Sequence, residues 1–590
     1  MIPKLPIRAA ALAAAVAMAA SACGSSSASS ATGPGFDLAA KQVLNPSTHA
    51  GGTVNIVTSS SNLDSLDPGQ TYSTPTWDLY RAFGRPMMTF PHAPGAAGTK
   101  LVGDLATGPG VVSADGKTWT YTLRSGATFE NGQTITSKDV AWAIERSGWS
   151  QAMAGSPTYF YNILTPPGSK YEKWDVYKDG PLGNDVIDAS DPTKIVFHLP
   201  KPFGEFDYVM STPATMPVPA QIDIKDPAGY GKHPLASGAY KIQTWAPGKE
   251  LKLVRNDAYN AKSDPDNLHV ALADALDLQI GIDAAERDQR LLDGEADVDL
   301  GSALTVANQA KVLSDPTLKS QIDDSADGSL VFGAINTGVV TNLDCRKAIE
   351  FGVDKDAVLN ELGGPYGGTK ATNLVPDAIP GHSSFDLYTH SLDDAKAALA
   401  RCRAASPKDP NFDPATGRYK FILATQTNSP DLQNAGTAIQ ASLKDVGIDV
   451  QVYLYPFGAY STQYCGNPQF ANHHDLGLCL GTWGADWPTG YGFLDQLITK
   501  HGIVEQGGGS NWSHYTNTTV DQLEDQALAT TDVNAQQKLW AQIDHQAMQD
   551  AVIVPLVQRK RMLFRSARLA NVMIDIGSGG LYDLPVLGLK

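Results

Sequence analysis

Residues 115–146 read DGKTWTYTLRSGATFENGQTITSKDVAWAIER. Trp119, Tyr121 and Leu123 alternate with threonines, so residues 117–123 are predicted to form a half-buried strand. Gly126 and the pair Asn131-Gly132 mark turns. Thr136-Ser137-Lys138-Asp139 has the form of a capping box, in which an alcohol and an acid satisfy the free amides of a helix start. That helix is predicted to run through Arg146. A second stretch, residues 233–259, reads HPLASGAYKIQTWAPGKELKLVRNDAY. Residues 239–244 and 250–254 flank Ala246-Pro247-Gly248 and predict a β-hairpin.

Outward from these stretches the pattern stays mixed. Residues 52–58 (GTVNIVT) are β-branched and predict a first strand, followed by a turn at Ser65-Leu66-Asp67-Pro68-Gly69. Residues 194–199 predict another strand, and the Tyr-, Gly- and Pro-containing segment before them reads as a loop-rich insertion. Further on, Leu432, Ala435, Ile439, Leu443 and Val446 recur at helical spacing between the strands 421–425 and 450–454. Such a crossover implies parallel strands joined in the right-handed sense. Residues 521–550 predict a helix that feeds an apolar strand at 551–557. Residues 558–590 carry no legible pattern. Hairpins early and crossovers late predict two α/β lobes with an extra domain.

A chain of 590 residues is too long for one core, so two to four domains are expected. The net charge of -17 argues against nucleic acid as a partner, because phosphate binding needs a basic surface. The first residues, MIPKLPIRAAALAAAVAMAASAC, combine Lys4 and Arg8, a short apolar run and small residues before Cys23, the form of a secretory signal peptide over residues 1–22. Small residues ahead of Cys23 resemble a bacterial lipoprotein signal, with Ala20 where a bulky residue is usual; Cys23 would then be lipidated. Residues 23–50 would be a tether. Past Cys23 there remain Cys345, Cys402, Cys465 and Cys479, an even number that suggests two disulfides in an exported protein. Of three possible pairings, Cys465–Cys479 and Cys345–Cys402 are favoured: the first closes a short loop, and the second joins two helical segments. With no CxxC pair, no structural metal is expected.

No GxSxG, HExxH, Walker A loop or GxGxxG occurs, so the common enzyme signatures are missing. The sharpest local feature is Gly481-Thr482-Trp483-Gly484-Ala485-Asp486-Trp487-Pro488, directly after the apolar run 476–480. An acid between two tryptophans just past a strand end suits a ligand crevice in an α/β sheet. Trp483 and Trp487 would supply flat walls, and Asp486 would pair with a cation. On composition alone the tryptophans serve equally well as core, with Asp486 capping a turn.

Further stretches stand in the same order along the chain: QRLLDGEADV at residues 289–298, Asn336-Thr337 with Cys345-Arg346-Lys347-Ala348-Ile349, and NWSHYTNTTVDQLEDQA at residues 511–527. Together with the opening two stretches and the Trp–Asp–Trp segment, they resemble the extracellular solute-binding proteins of family 5, the oligopeptide-, dipeptide- and nickel-binding proteins of ABC importers. The resemblance runs from about Gly51 to Val557. It implies an α/β, two-lobed periplasmic-binding-protein-like fold (type II, cluster C) with an extra third domain. Domain I would comprise residues 51–91, 212–327 and 546–590, domain II residues 92–211, and domain III residues 328–545.

The resemblance also implies a function: capture of short peptides by hinge closure and delivery to membrane permease subunits. No catalysis and no cofactor are expected. The protein would be a monomer, lipid-anchored at the outer face of the cell membrane. Asp486 would pair with the ligand's α-amino group, and Thr482, Trp483 and Gly484 would offer a backbone edge beside Trp487. Tyr72, Ser73 and Thr74 would line the ligand. The chain departs from the family pattern where Trp487-Pro488 follows Asp486 in place of a second acid. Two alternatives within the family remain open. An oligosaccharide could stack on some of the 10 tryptophans, and a nickel or metal chelate could use His473 and His474.

Overall fold

In the computed structural model, which describes residues 36–59, 63–153 and 156–590, the opening stretch forms the strand Thr118–Thr122 and the helix Ser137–Gly148. The Asp139 carboxylate accepts from both the backbone amide and the hydroxyl of Thr136, each at 2.8 Å, which fixes the helix start. The strand belongs to a four-stranded antiparallel sheet ordered Val111–Val112, Thr118–Thr122, Lys194–His198, Ile187–Asp188. The segment before Lys194 is irregular, with short helices at Tyr159–Leu164 and Val176–Asp179.

A five-stranded sheet is ordered Val298–Asp299, Thr53–Thr58, Ala275–Ile280, Glu250–Arg255, Tyr240–Ala246. The last two strands are the expected hairpin, and Thr53–Thr58 runs parallel to both its neighbours. A six-stranded sheet is ordered Gly368–Lys370, Ile553–Phe564, Ile322–Ile335, Leu476–Gly484, Tyr419–Gln426, Ile448–Tyr455. Its last two strands are parallel and joined by the helix Pro430–Val446, which buries Leu432, Ala435, Ile439, Leu443 and Val446 as their spacing requires.

The strands Ile322–Ile335 and Ile553–Phe564 connect the two larger bodies. They pair antiparallel at residues 322–326 with 560–564, and again at 330–334 with 553–558. The irregularity between, at Asp327-Gly328-Ser329, is closed by Gly328 at φ 73°. On one side of it Ile322, Met562 and Phe564 share a core with Val57 and Leu291. On the other, Val331, Ile335, Val554 and Leu556 belong to the core under the six-stranded sheet.

Several expectations need correction. The predicted long helix is two, Thr518–Ala529 and Val533–Gln549, separated at Thr530 to Asp532, where Asp532 caps the second. A boundary at 545/546 therefore falls inside a helix. The strand expected to end at Val557 continues to Phe564, because Met562, Leu563 and Phe564 are buried. The tether expected over residues 23–50 is docked from Phe36 onward. Phe36 and Ala39 are buried, and the Ala39 amide donates to Asp323 at 2.9 Å. Residues 1–22 and Cys23 lie outside the described residues.

Both favoured disulfides are formed. Cys345–Cys402 ties the helix Leu343–Gly352 to Leu392–Ala405, and Cys465–Cys479 ties the strand Leu476–Gly484 to the turn before the helix Pro468–His473. They span sequence separations of 57 and 14 residues. In the chain-entropy picture the longer loop contributes about 4 kcal/mol and the shorter about 3 kcal/mol. Guanidinium unfolding of C345S/C402S is therefore expected to show the larger loss of midpoint, and of C465S/C479S the smaller. The reverse order would show that constraint of the unfolded chain is not what these bridges supply.

Candidate ligand-binding site

Arg146, at the end of the capped helix, organises one wall. Its guanidinium bonds both oxygens of Asp67 at 2.6 and 2.8 Å and lies 2.8 Å from Asp223. All three are buried. This pins the turn Ser65 to Pro68. Asp64, beside it, accepts from the Tyr72 amide at 2.6 Å and the Thr71 hydroxyl at 2.9 Å. Tyr72 is thereby presented outward, 56% exposed, just before the helix Thr74–Phe83.

The opposite wall is the end of the strand Leu476–Gly484. Its residues 481–484 pair with Ser329 to Phe332 on one edge, while on the other the pairing with Tyr419–Gln426 reaches only to Cys479. Gly481 packs against Trp512, where an added Cβ would lie 2.3 Å from the indole. Asp486 follows on the loop beyond. Its carboxylate accepts from Tyr72 at 3.1 Å and from Tyr159 at 2.5 Å, two hydroxyls from segments far away in sequence. Burial raises the Asp486 pKa above the ordinary carboxylate value, and the two hydroxyl bonds pull it partly back. The hydroxyls of both tyrosines are raised too, first by desolvation where they close on the cleft and then by the Asp486 carboxylate. They remain protonated donors, although the Tyr72 side chain as a whole is exposed. Among the described residues no lysine, arginine or histidine forms an ion pair with Asp486.

Between these walls lies a cavity of about 530 Å³. All eight sequence candidates line it: Tyr72, Ser73, Thr74, Thr482, Trp483, Gly484, Asp486 and Trp487. The two tryptophans are anchored differently. Trp483 donates its indole N–H to the Gly492 carbonyl at 2.7 Å and stays half-buried. Trp487 is only 3% exposed and stacks on Tyr491 at 5.7 Å, so it is core and wall at once.

Sequence reasoning missed Tyr159, Glu205, Arg561 and the loop 576–579. Tyr159 and Glu205 come from regions without periodicity or motif, and the others from the uninterpreted last stretch. Glu205 is buried and accepts from the Trp487 indole at 3.1 Å, Thr489 at 3.0 Å and the Trp540 indole at 3.3 Å. It joins the body of the four-stranded sheet to the loop that carries Asp486. Phe203 against Tyr491 and Tyr159 against Trp487 reinforce the same contact, with ring centroids 5.5 and 5.4 Å apart. The histidines at 473 and 474 lie elsewhere. His474 stacks on Phe470, and its ring nitrogen lies 2.9 Å from the Phe470 carbonyl.

A large cavity between α/β bodies, walled by aromatics and by an acid without an ion-pair partner among the described residues, is a candidate ligand site. Residues 100–503 match the model of the bacterial extracellular solute-binding proteins, family 5, and the chain belongs to that family. A probable D,D-dipeptide-binding periplasmic protein of Escherichia coli K12 is 24% identical over 86% of this chain and 89% of its own. Among solved structures, clavulanic acid biosynthesis oligopeptide binding protein 2 superposes with a TM-score of 0.87 at 35% identity, covering 94% of this chain and 98% of that one. A Helicobacter pylori ABC transporter-associated periplasmic binding protein in complex with the peptide STSA has the same fold, with a TM-score of 0.66 at 20% identity over 92% of this chain and 99% of that one.

Burial pushes the Glu205 carboxyl up from 4.5 to about 7, against the pull of its three donors. The native state thus holds this proton more tightly than the unfolded chain. Its contribution is fully present below about pH 4.5 and is lost as pH rises through about 7, a change on the order of 3 kcal/mol. Glu205→Gln removes the titration. The thermal midpoint of the wild type is expected to fall relative to E205Q between pH 5 and pH 8. A constant difference across that range would exclude Glu205 as a titrating group.

Proposed function

We propose that this protein captures short peptides outside the cell and hands them to the permease of an ABC importer. The observation that carries this reading is Asp486, a carboxylate at the cavity wall with two hydroxyl donors and no ion-pair partner among the described residues. A ligand's α-ammonium group supplies the missing charge, and in a partly desolvated site such a pair is stronger than in water. The strand edge at residues 481–484, without a strand partner on its second side, suits an extended peptide bound through its main chain. Main-chain bonding is indifferent to side-chain identity, and hydrated pockets tolerate variety. Trp483 and Trp487 then flank the amine end, and Tyr72, Ser73 and Thr74 the opposite side.

In this reading the two long strands are the hinge, and the structure corresponds to the closed arrangement. Tyr72 and Tyr159 reach Asp486 across the cleft, and Glu205 latches the body of the four-stranded sheet to the same loop. Domain I takes residues 51–91, 212–327 and the stretch after about 559, domain II residues 92–211, and domain III residues 328 to about 558, with the crossing at Asp327 to Ser329 and near Arg559. Lipidation at Cys23 after removal of residues 1–22 would hold a monomer beside its permease at the outer face of the membrane, where several acyl chains anchor better than one. No catalytic step is part of this role.

Asp486→Ala is expected to weaken a bound peptide by about 10- to 100-fold, and N-acetylation of the peptide to do the same with no further loss in the variant. Calorimetry of the four combinations reads this directly. Equal affinity for free and acetylated peptides would remove the amine-pairing role.

A further inference from the structure

Two arginines line the cavity, and they differ in how far the protein itself occupies them. Arg81 is saturated. It bonds Asp575, Asp583 at 3.3 Å and the Phe90 carbonyl at 3.2 Å, with Asp78 at 3.6 Å and the His92 ring at 3.3 Å. Arg561 projects from the strand Ile553–Phe564 beside its irregularity, opposite Ser325. Its one bonded partner among the described residues is Asp327 at 3.4 Å, longer than the ~2.8 Å of a tight charge-assisted bond. The side chain keeps 26% exposure. A guanidinium carries five N–H donors in a planar fork, so most of those on Arg561 remain for something else.

Asp327 is itself held, its other oxygen accepting from the Ser329 amide at 2.9 Å and hydroxyl at 2.6 Å. The acid therefore orients the arginine without filling its donor set. The adjoining wall is the glycine-rich loop at residues 577–580. Gly579 and Gly580 take φ of 89° and 72°, a region that favours glycine. An added Cβ on Gly579 would lie 2.2 Å from Thr74, and one on Gly580 would lie 3.0 Å from the Asp327 Cα. Only glycine lets this loop approach both Thr74 and Asp327, and that approach brings bare backbone to the cavity next to Arg561.

We propose that Arg561, oriented by Asp327 and backed by the glycine loop, is a carboxylate subsite, so that the ligand bears a free carboxylate as well as an amine. The inference rests on the peptide reading above and assigns the ligand's other end. The planar fork matches a carboxylate in two parallel bonds, which a lysine could not reproduce. A zwitterion adds no net charge to the cavity, and its ammonium and carboxylate would meet Asp486 and the free donors of Arg561. Arg561 lies on one of the two strands that join the bodies, so a carboxylate held there reports occupancy at the crossing itself.

The test uses the full mature chain, stripped by unfolding and refolded, with an equimolar set of di- to pentapeptides. The set is offered as free acids, as C-terminal amides and as N-acetylated acids, and retention is read by native mass spectrometry. Wild type is expected to retain acids about 10- to 100-fold better than amides. Arg561→Gln should retain both equally at the amide level, and Arg561→Lys should restore part of the preference. The unfolding midpoint of each variant controls for folding. Equal retention of acids and amides by the wild type, with acetylation still harmful, would overturn the carboxylate subsite and leave the amine reading intact. A preference for acids that survives in R561Q would overturn the role of Arg561. Failure to retain any peptide would overturn both readings.

Discussion

The antiparallel pair Ile322–Ile335 and Ile553–Phe564 is the constraint on which the molecule depends. Two separate cores are seeded by the same two strands, one on each side of a three-residue irregularity. The ladder cannot be continuous there, so its loss is compensated locally: Asp327 turns back onto the Ser329 amide, and Gly328 takes a positive φ. The buried ends cannot shift without exposing apolar surface on both sides. The cavity is lined by the short stretch between them, through Asp327, Gly328, Ser329 and Arg561.

Polar chemistry around the cavity follows one rule, that a buried charge must be answered. Arg146 is answered by Asp67 and Asp223, and Arg81 by three acids. Glu205 is answered by three neutral donors and sealed from solvent. Asp486 is the contrasting case. Its two hydroxyl partners orient the carboxylate but do not neutralise it, and it faces open space. Within the cavity wall the two cases stand side by side: Arg81 is saturated by the protein's own acids, and Asp486 has no ion-pair partner among the described residues.

The fold alone leaves the ligand undetermined. The Helicobacter pylori protein shares this architecture at 20% identity, so the likeness is one of fold and not of ligand. What a ligand meets is the donor and acceptor set at the cavity wall, which in this chain includes Asp486 and Arg561.

Local elements were legible because local physics decides them. Thr136 to Asp139 specify a helix start through bonds within four residues, and the Leu432 to Val446 face is a matter of spacing. The segment 481–488 stood out as a candidate only through the family resemblance, since an acid between tryptophans also reads as core and a turn, and the cysteine pairs were legible because few pairings exist. Residues 558–590 were not legible: past Phe564 their strands are two residues long, Leu569–Ala570 against Gly588–Leu589 and Ile574–Asp575 against Leu581–Tyr582, too short to show a period, and other contacts reach far back, as between Leu44 and Val572. The sequence by itself determined the α/β class, the family resemblance and the candidate acid, since each rests on neighbouring residues. Only the tertiary structure decided that Tyr72 and Tyr159 meet on Asp486, that Glu205 locks the loop behind it, and that Arg561 reaches the cavity with donors to spare. Those relations join residues distant in the chain, and burial, which sets their strength, exists only once the chain has folded.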